Sequence, residues 1–252
     1  MCSSDLDLRR RHRSRGLTVG KVCVITGASQ GIGRAAAVRM SREPAVDALV
    51  LIARSATGLE VTVSELAAEG KRVEVIPYDL TDLAGIPALV ERIYRDYGRI
   101  DILLNIAGYA EPQSLLDTST ENIVQTFTIN VFAMLVLIRE AVRHIGAKPA
   151  KILNVASTAG ITSRPGWLAY ASSKAAVVSL SATLADELAG SGIKVYSISP
   201  GRTATELRRK LAPEEDPSTI MQPSQVADVI AQLMSDDEVT LDGQNIIVRT
   251  RA

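Results

Sequence analysis

Seven short runs rich in Val, Ile, Leu and Ala, at Lys21–Thr26, Ala48–Ala53, Arg72–Pro77, Asp101–Asn105, Lys151–Ala156, Lys194–Ser199 and Asn245–Val248, alternate with stretches of helical periodicity. Those stretches fall at about 31–42, 58–70, 82–97, 120–146, 168–190 and 223–234, one in every gap between consecutive runs. Parallel strands need a crossover connection, usually a helix, so the pattern specifies an α/β fold: a doubly wound parallel sheet of about seven strands flanked by helices on both faces. A length of 252 residues suits one such domain. Aromatics make up only 4% of the chain against 46% hydrophobic residues, so aliphatic side chains must fill the core, as they do under a buried parallel sheet. Gly70, Gly98 and Gly146 stand where helix C-caps belong.

The helices at about 120–146 and 168–190 are apolar on more than one side: Ile123, Phe127, Val131, Leu135 and Ile138 keep helical spacing while Phe132, Val136 and Leu137 fill the opposite face. Such helices need cover on two sides, and a homodimer or homotetramer through these two helices is expected. The longest apolar run, Val131–Ile138, is too short to span a bilayer. Positive and negative residues balance at 28 each, but the first sixteen residues hold five Arg and two Asp, leaving a net charge of −3 on the remainder. The body therefore carries no nucleic-acid signature, and no nucleic-acid or membrane partner is expected. The Arg-rich segment 1–18 reads as a disordered tail, opening on a sequence scar, and is set aside from the fold. With no apolar leader pattern and no cysteine framework, Cys2 and Cys23 being the only two, a soluble cytoplasmic protein without a metal site is expected.

Three groups can protonate a carbonyl oxygen. Tyr170 and Lys174 lie four apart in Ala-Tyr-Ala-Ser-Ser-Lys, on one face of a helix, and Ser157 lies thirteen residues upstream. A phenol with an ordinary pKa of ~10 needs a cation beside it to exchange protons near neutrality. Lys174 supplies one. Separately, Gly27, Gly31 and Gly33 fall between the first β-run and the first helix, where glycine lets the backbone turn tightly and approach a pyrophosphate at the helix N-terminus. No Gly-x-x-x-x-Gly-Lys-Ser/Thr motif occurs in the chain, which argues against a P-loop nucleotidase.

From about Lys21 to Val248 the chain resembles the short-chain dehydrogenase/reductase family, a single Rossmann-type domain. Thr26-Gly27-Ala28-Ser29-Gln30-Gly31-Ile32-Gly33 matches its cofactor motif, and Asp79-Leu80 matches the acidic site that by resemblance binds the adenine. Asn105-Ile106-Ala107-Gly108 matches Asn-Asn-Ala-Gly with Ile106 in place of the second Asn. Asn130, Ser157, Tyr170 and Lys174 fall on the catalytic tetrad, and Pro200-Gly201 with Thr203 and Thr205 falls on the segment that holds the nicotinamide. The resemblance implies hydride transfer between a nicotinamide and a carbonyl or secondary alcohol. Tyr170 is then the general acid/base, Ser157 a donor to the carbonyl oxygen, Lys174 the cation that depresses the phenol and bonds the ribose, and Asn130 the holder of a helix kink and a relay water.

At the end of the second strand, an acid would bind a ribose 2′-hydroxyl and a base a 2′-phosphate. Here Arg54 and Ser55, with Ser29, form a phosphate pocket. NADP(H) is therefore favoured over NAD(H). Residues 19–252 are expected to form the NAD(P)-binding catalytic domain, with the charged segment 206–222 as a short mobile lid. Thr158, Ile161, Arg164, Trp167 and Leu168 are candidates to line a cleft for a small carbonyl or alcohol substrate. Two other readings stand beside this one: a non-catalytic NADP-binding regulator of the same fold, and, among enzymes, a 3-oxoacyl-carrier-protein reductase. The C-terminus lacks the Gly-rich end of the latter.

Overall fold

A computed structural model describes residues 20–250; the expectations placed on the Arg-rich segment and Cys2 lie outside them. Along the described chain run β1 (Lys21–Thr26), α1 (Gly31–Met40), β2 (Val46–Ala53), α2 (Ala56–Ser64), β3 (Arg72–Pro77), α3 (Ile86–Tyr97), β4 (Ile102–Asn105) and α4 (Thr120–Phe127). They continue through α5 (Ala133–Ile145), β5 (Ala150–Val155), α6 (Leu168–Glu187), β6 (Ile193–Pro200), α7 (Glu206–Leu211), α8 (Pro223–Met234) and β7 (Asn245–Val248). All strand pairs are parallel, in the order β3-β2-β1-β4-β5-β6-β7. The winding reverses between β1 and β4. A crevice opens there at the carboxyl ends of the strands, because the loops on either side depart in opposite directions.

Side-chain alternation along the strands splits the core in two. Val22 and Val24 of β1 point into one cluster with α3, α5 and α6, while Cys23 and Ile25 point into the other with α1 and α8. Both faces are thus covered, which explains why the strands read as nearly continuous apolar runs.

Two helices differ from expectation. The one after β2 ends at Ser64, not near Gly70. Val61, Thr62 and Val63 are β-branched and hold a helix weakly, and the Ser64 hydroxyl donates to the Val61 carbonyl at 2.7 Å, a local bond that competes with the helical ladder. Gly70, with φ of 76°, serves a turn before β3 instead, whereas Gly98 and Gly146 do cap α3 and α5.

The helix expected at 120–146 is three pieces, α4 and α5 joined by a π turn over Thr128–Phe132. As one segment, Thr120–Ile145 has the length and hydropathy of a bilayer span, although Val131–Ile138 alone does not. Half of it is buried, α5 packing against α3 and α4 against α6, which makes it a core helix of this fold. Its other side leaves Ile123, Val124, Phe132 and Leu135 exposed.

Candidate active site

The crevice is a cleft of about 920 Å³, near the upper end of the ~300–1,000 Å³ usual for small-molecule sites. At its β1 end the glycine turn leaves no room for side chains. A Cβ on Gly33 would lie 2.1 Å from the Gly27 carbonyl oxygen, and one on Gly27, whose φ is 70°, would lie 2.8 Å from the Ala107 backbone. Thr26 fixes this contact: its hydroxyl accepts the Ile106 and Ala107 amides at 3.0 and 3.2 Å, joining the β1 turn to the loop after β4. Gln30, the N-cap of α1, makes no side-chain bond to the first turn, so the leading amides of α1 have no side-chain cap. Uncapped helical N–H groups attract an anion. The cradle fits the pyrophosphate of a dinucleotide.

Gly27, Ser29, Gln30, Gly31, Ile32 and Gly33 line this end, followed by Arg54, Ser55, Asp79, Leu80, Ala107 and Gly108. Ser55 accepts the Gly58 amide at 3.0 Å and so caps α2, which orients its hydroxyl beside Ser29. Asp79 is held below the usual carboxylate range, first by the Thr81 amide and also by the charge of Arg54. Asn105 is not in the cleft wall. It is buried and donates to Asn154 at 2.8 Å, which donates in turn to Ser181 at 3.0 Å. This buried chain ties β4 to β5 and α6, below the loop that carries Ala107 and Gly108.

Ser157, Tyr170, Lys174, Pro200, Gly201, Thr203 and Thr205 line the other end. Burial raises the Tyr170 phenol above its ordinary pKa, and a hydrogen bond with Ser157 offsets part of that rise. Lys174 is buried and its Nζ donates to the Val155 carbonyl at 2.7 Å; burial pushes its pKa down to about 8. Its ammonium stands 5.9 Å from the centre of the Tyr170 ring. Burial is the larger influence on the phenol and the Ser157 bond the smaller.

Asn130 lies outside the cleft, at the centre of the π turn and fully buried. Its Oδ1 accepts the Tyr109 amide at 2.8 Å, and its Nδ2 donates to the Tyr109 carbonyl at 2.9 Å and to Ser173 at 2.9 Å. Ser173 donates to the Tyr170 carbonyl at 2.7 Å. The expected kink is present, and Asn130 spans the loop after β4 and the first turn of α6. Ser173 was not singled out from the sequence, although its place three after Tyr170 puts it on the buried face. Gly160 was also missed: a Cβ there would lie 2.6 Å from the Lys174 carbonyl carbon and 2.7 Å from the Ala175 nitrogen.

Of the candidate substrate-side residues, Thr158, Arg164 and Trp167 line the cleft, together with Ser163 and Pro165. Ile161 and Leu168 do not; both are exposed outside it, because the 3-10 turn at Thr158–Gly160 and the turn before α6 direct them outward. Trp167 packs edge-on to Tyr170, ring centres 5.7 Å apart. α7 also lines the cleft, through Glu206, Leu207, Arg208 and Leu211. Glu215 anchors that segment, accepting from Arg208 and Arg202, which hold its carboxyl below the usual range.

A parallel sheet whose switch point joins a glycine cradle to a phenol, a hydroxyl and an ammonium has the layout of a pyridine-nucleotide oxidoreductase. The short chain dehydrogenase family model matches residues 21–216, and the chain belongs to that family of oxidoreductases. It is 35% identical to a 3-oxoacyl-(acyl-carrier-protein) reductase of Thermotoga maritima over 90% of this chain and 95% of the relative. Among solved structures it resembles an actinorhodin polyketide ketoreductase with NADPH (TM-score 0.84, 25% identity, 91% of this chain and 96% of the other). It also resembles a short chain dehydrogenase of Burkholderia cenocepacia in complex with NADP (TM-score 0.82, 27% identity, 91% and 96%).

Proposed function

We propose that the protein is an NADP(H)-dependent carbonyl reductase or alcohol dehydrogenase in which Tyr170 is the general acid/base. The observation that carries this reading is the cluster of Ser157 with the buried Tyr170 and Lys174 at the end of a cleft whose other end is a glycine cradle. A bound nicotinamide supplies or accepts the hydride. In the reductive direction Tyr170 gives its proton to the carbonyl oxygen, and the raised pKa of the phenol keeps that proton in place until the oxygen gains charge. Ser157 donates a hydrogen bond to the same oxygen. Lys174, charged below about pH 8, stabilises the tyrosinate left behind, and Asn130 and Ser173 fix the first turn of α6 on which both residues stand.

Arg54, Ser55 and Ser29 support NADP(H) as the cofactor by offering a cation and two hydroxyls at the end of β2, in line with the NADP carried by the Burkholderia relative. NAD(H) is the alternative. Residues 19–252 act as the catalytic domain, with 206–222 as the lid; α7 and the Glu215 anchor support a segment that covers the substrate. The exposed Ile123, Val124, Phe132 and Leu135 support assembly of two or four copies through that helix face.

The test is purified protein with NADPH and a panel of ketones, aldehydes and quinones, beside Tyr170→Phe. The wild type is expected to oxidise NADPH with at least one class. The variant should lose ~100- to 10,000-fold in rate, the usual range for a general acid, while still binding NADPH. Cofactor binding without oxidation on any substrate favours the regulator.

A further inference from the structure

Three guanidinium groups line the substrate end of the cleft, Arg164, Arg202 and Arg208. Two are already paired. Arg208 forks onto Glu215 through Nε at 2.6 Å and Nη2 at 2.8 Å, and Arg202 reaches the same carboxylate at 3.1 Å. Arg164, which lines the same cleft, makes no ion pair or side-chain hydrogen bond among the described residues.

An exposed arginine is ordinarily just solvated, but this one has a fixed mounting. The Trp167 amide donates to the Arg164 carbonyl at 3.0 Å, closing a four-residue turn with Pro165 second and Gly166, φ 78°, third. Proline there and a glycine at positive φ define a type II turn, whose end Cα atoms lie within about 7 Å. Trp167, the last residue of the turn, packs edge-on against Tyr170. The turn thus holds the Arg164 backbone in a fixed place relative to the helix that carries the proton donor. Arg164 follows β5, two strands along from the β1 turn that cradles phosphate, and at ~4.8 Å per strand it stands on the substrate side of the site. Leu207 and Leu211 add an apolar surface to the same cleft.

We propose that Arg164 binds a carboxylate on the substrate, so that the compounds reduced here are oxo acids. The inference rests on the carbonyl-reducing reading above. In the step implied, oxo acid, NADPH and one proton give hydroxy acid and NADP+: the C=O π bond breaks, a C–H bond forms with the hydride, and an O–H bond forms with the Tyr170 proton. The carboxylate itself is unchanged. A guanidinium fork matches a carboxylate with two parallel hydrogen bonds, which a lysine ammonium at the same place does not reproduce.

The experiment compares 2-oxopentanoate and 4-oxopentanoate with their methyl esters, with NADPH, in wild type, Arg164→Ala and Arg164→Lys. In parallel, 4-oxopentanoate is titrated against the NADP+ complex, read by fluorescence of Trp167, the chain's single tryptophan. At least one acid should exceed its ester in kcat/KM by ~10-fold or more, the worth of a charge-assisted hydrogen bond. Arg164→Ala should erase that margin by raising KM for the acids, and Arg164→Lys should restore part of it. Esters preferred over acids, or an acid-to-ester ratio untouched in Arg164→Ala, overturns the inference and leaves carbonyl reduction standing. Arg164-dependent binding of 4-oxopentanoate without reduction of any compound keeps the anion site and removes the reductase reading. Absence of both turnover and binding of the acid overturns the inference.

Discussion

Replacing Lys174 by Met keeps the volume of the side chain and removes only its charge and its donor. The stability consequence changes sign with pH. Burial lowers the lysine from 10.5 to about 8, which at ~1.4 kcal/mol per pH unit corresponds to a penalty of about 3 kcal/mol for holding the ammonium in the folded protein. Because the folded pKa is depressed, the folded state binds fewer protons than the unfolded one between about 8 and 10.5, and wild-type stability rises with pH through that window. The penalty is fully present at pH 6.5, and most of it is gone by pH 10. Against it stands the Val155 carbonyl, which accepts from Lys174 at 2.7 Å and would be left unpaired, a loss of ~1–3 kcal/mol at any pH. Lys174→Met should therefore be equal to or more stable than wild type at pH 6.5, by up to ~2 kcal/mol, and less stable at pH 10. Urea denaturation of both proteins at the two pH values measures the difference, and other titrating groups cancel between them. Turnover should meanwhile fall at least ~100-fold. A stability difference that is the same at both pH values would refute the buried-ammonium account.

Two further substitutions test the cleft. Arg54→Asp puts a carboxylate where a 2′-phosphate would sit, and the NADPH to NADH ratio of kcat/KM should fall by ~10-fold or more; an unchanged ratio would sink the role given to Arg54. Gly160→Ala drives a Cβ to 2.6 Å from the Lys174 backbone, so α6 must shift, with a loss of ~1–3 kcal/mol in denaturant unfolding and a fall in kcat larger than the change in KM for NADPH.

The sheet was legible because its determinants are local. Seven apolar runs with one helix in each gap leave few topologies besides a parallel doubly wound sheet, and Gly27 and Gly31 mark the turn by their positive φ, Gly33 by its close approach to the Gly27 carbonyl. Tyr170 and Lys174 were legible for the same reason, four residues apart on one helix. What the sequence did not disclose are contacts between segments distant in the chain. Asn105 looks the same whether it faces a ligand or Asn154; only the pairing of β4 with β5 decides for Asn154. Asn130 signalled a bend, but the partners that give the bend its purpose, Tyr109 and Ser173, lie 21 and 43 residues away. Ile161 and Leu168 share a loop with Thr158 and Arg164, yet the direction of each side chain follows from turns that composition leaves open. The pKa balance at Tyr170 belongs to the same group. Spacing put a cation one turn from the phenol, but how far both are taken out of water depends on the whole packed site, and desolvation acts through every neighbour at once. The order of residues thus determined the architecture and which groups could do chemistry, while the tertiary structure decided which of them face the cleft and in what state of charge.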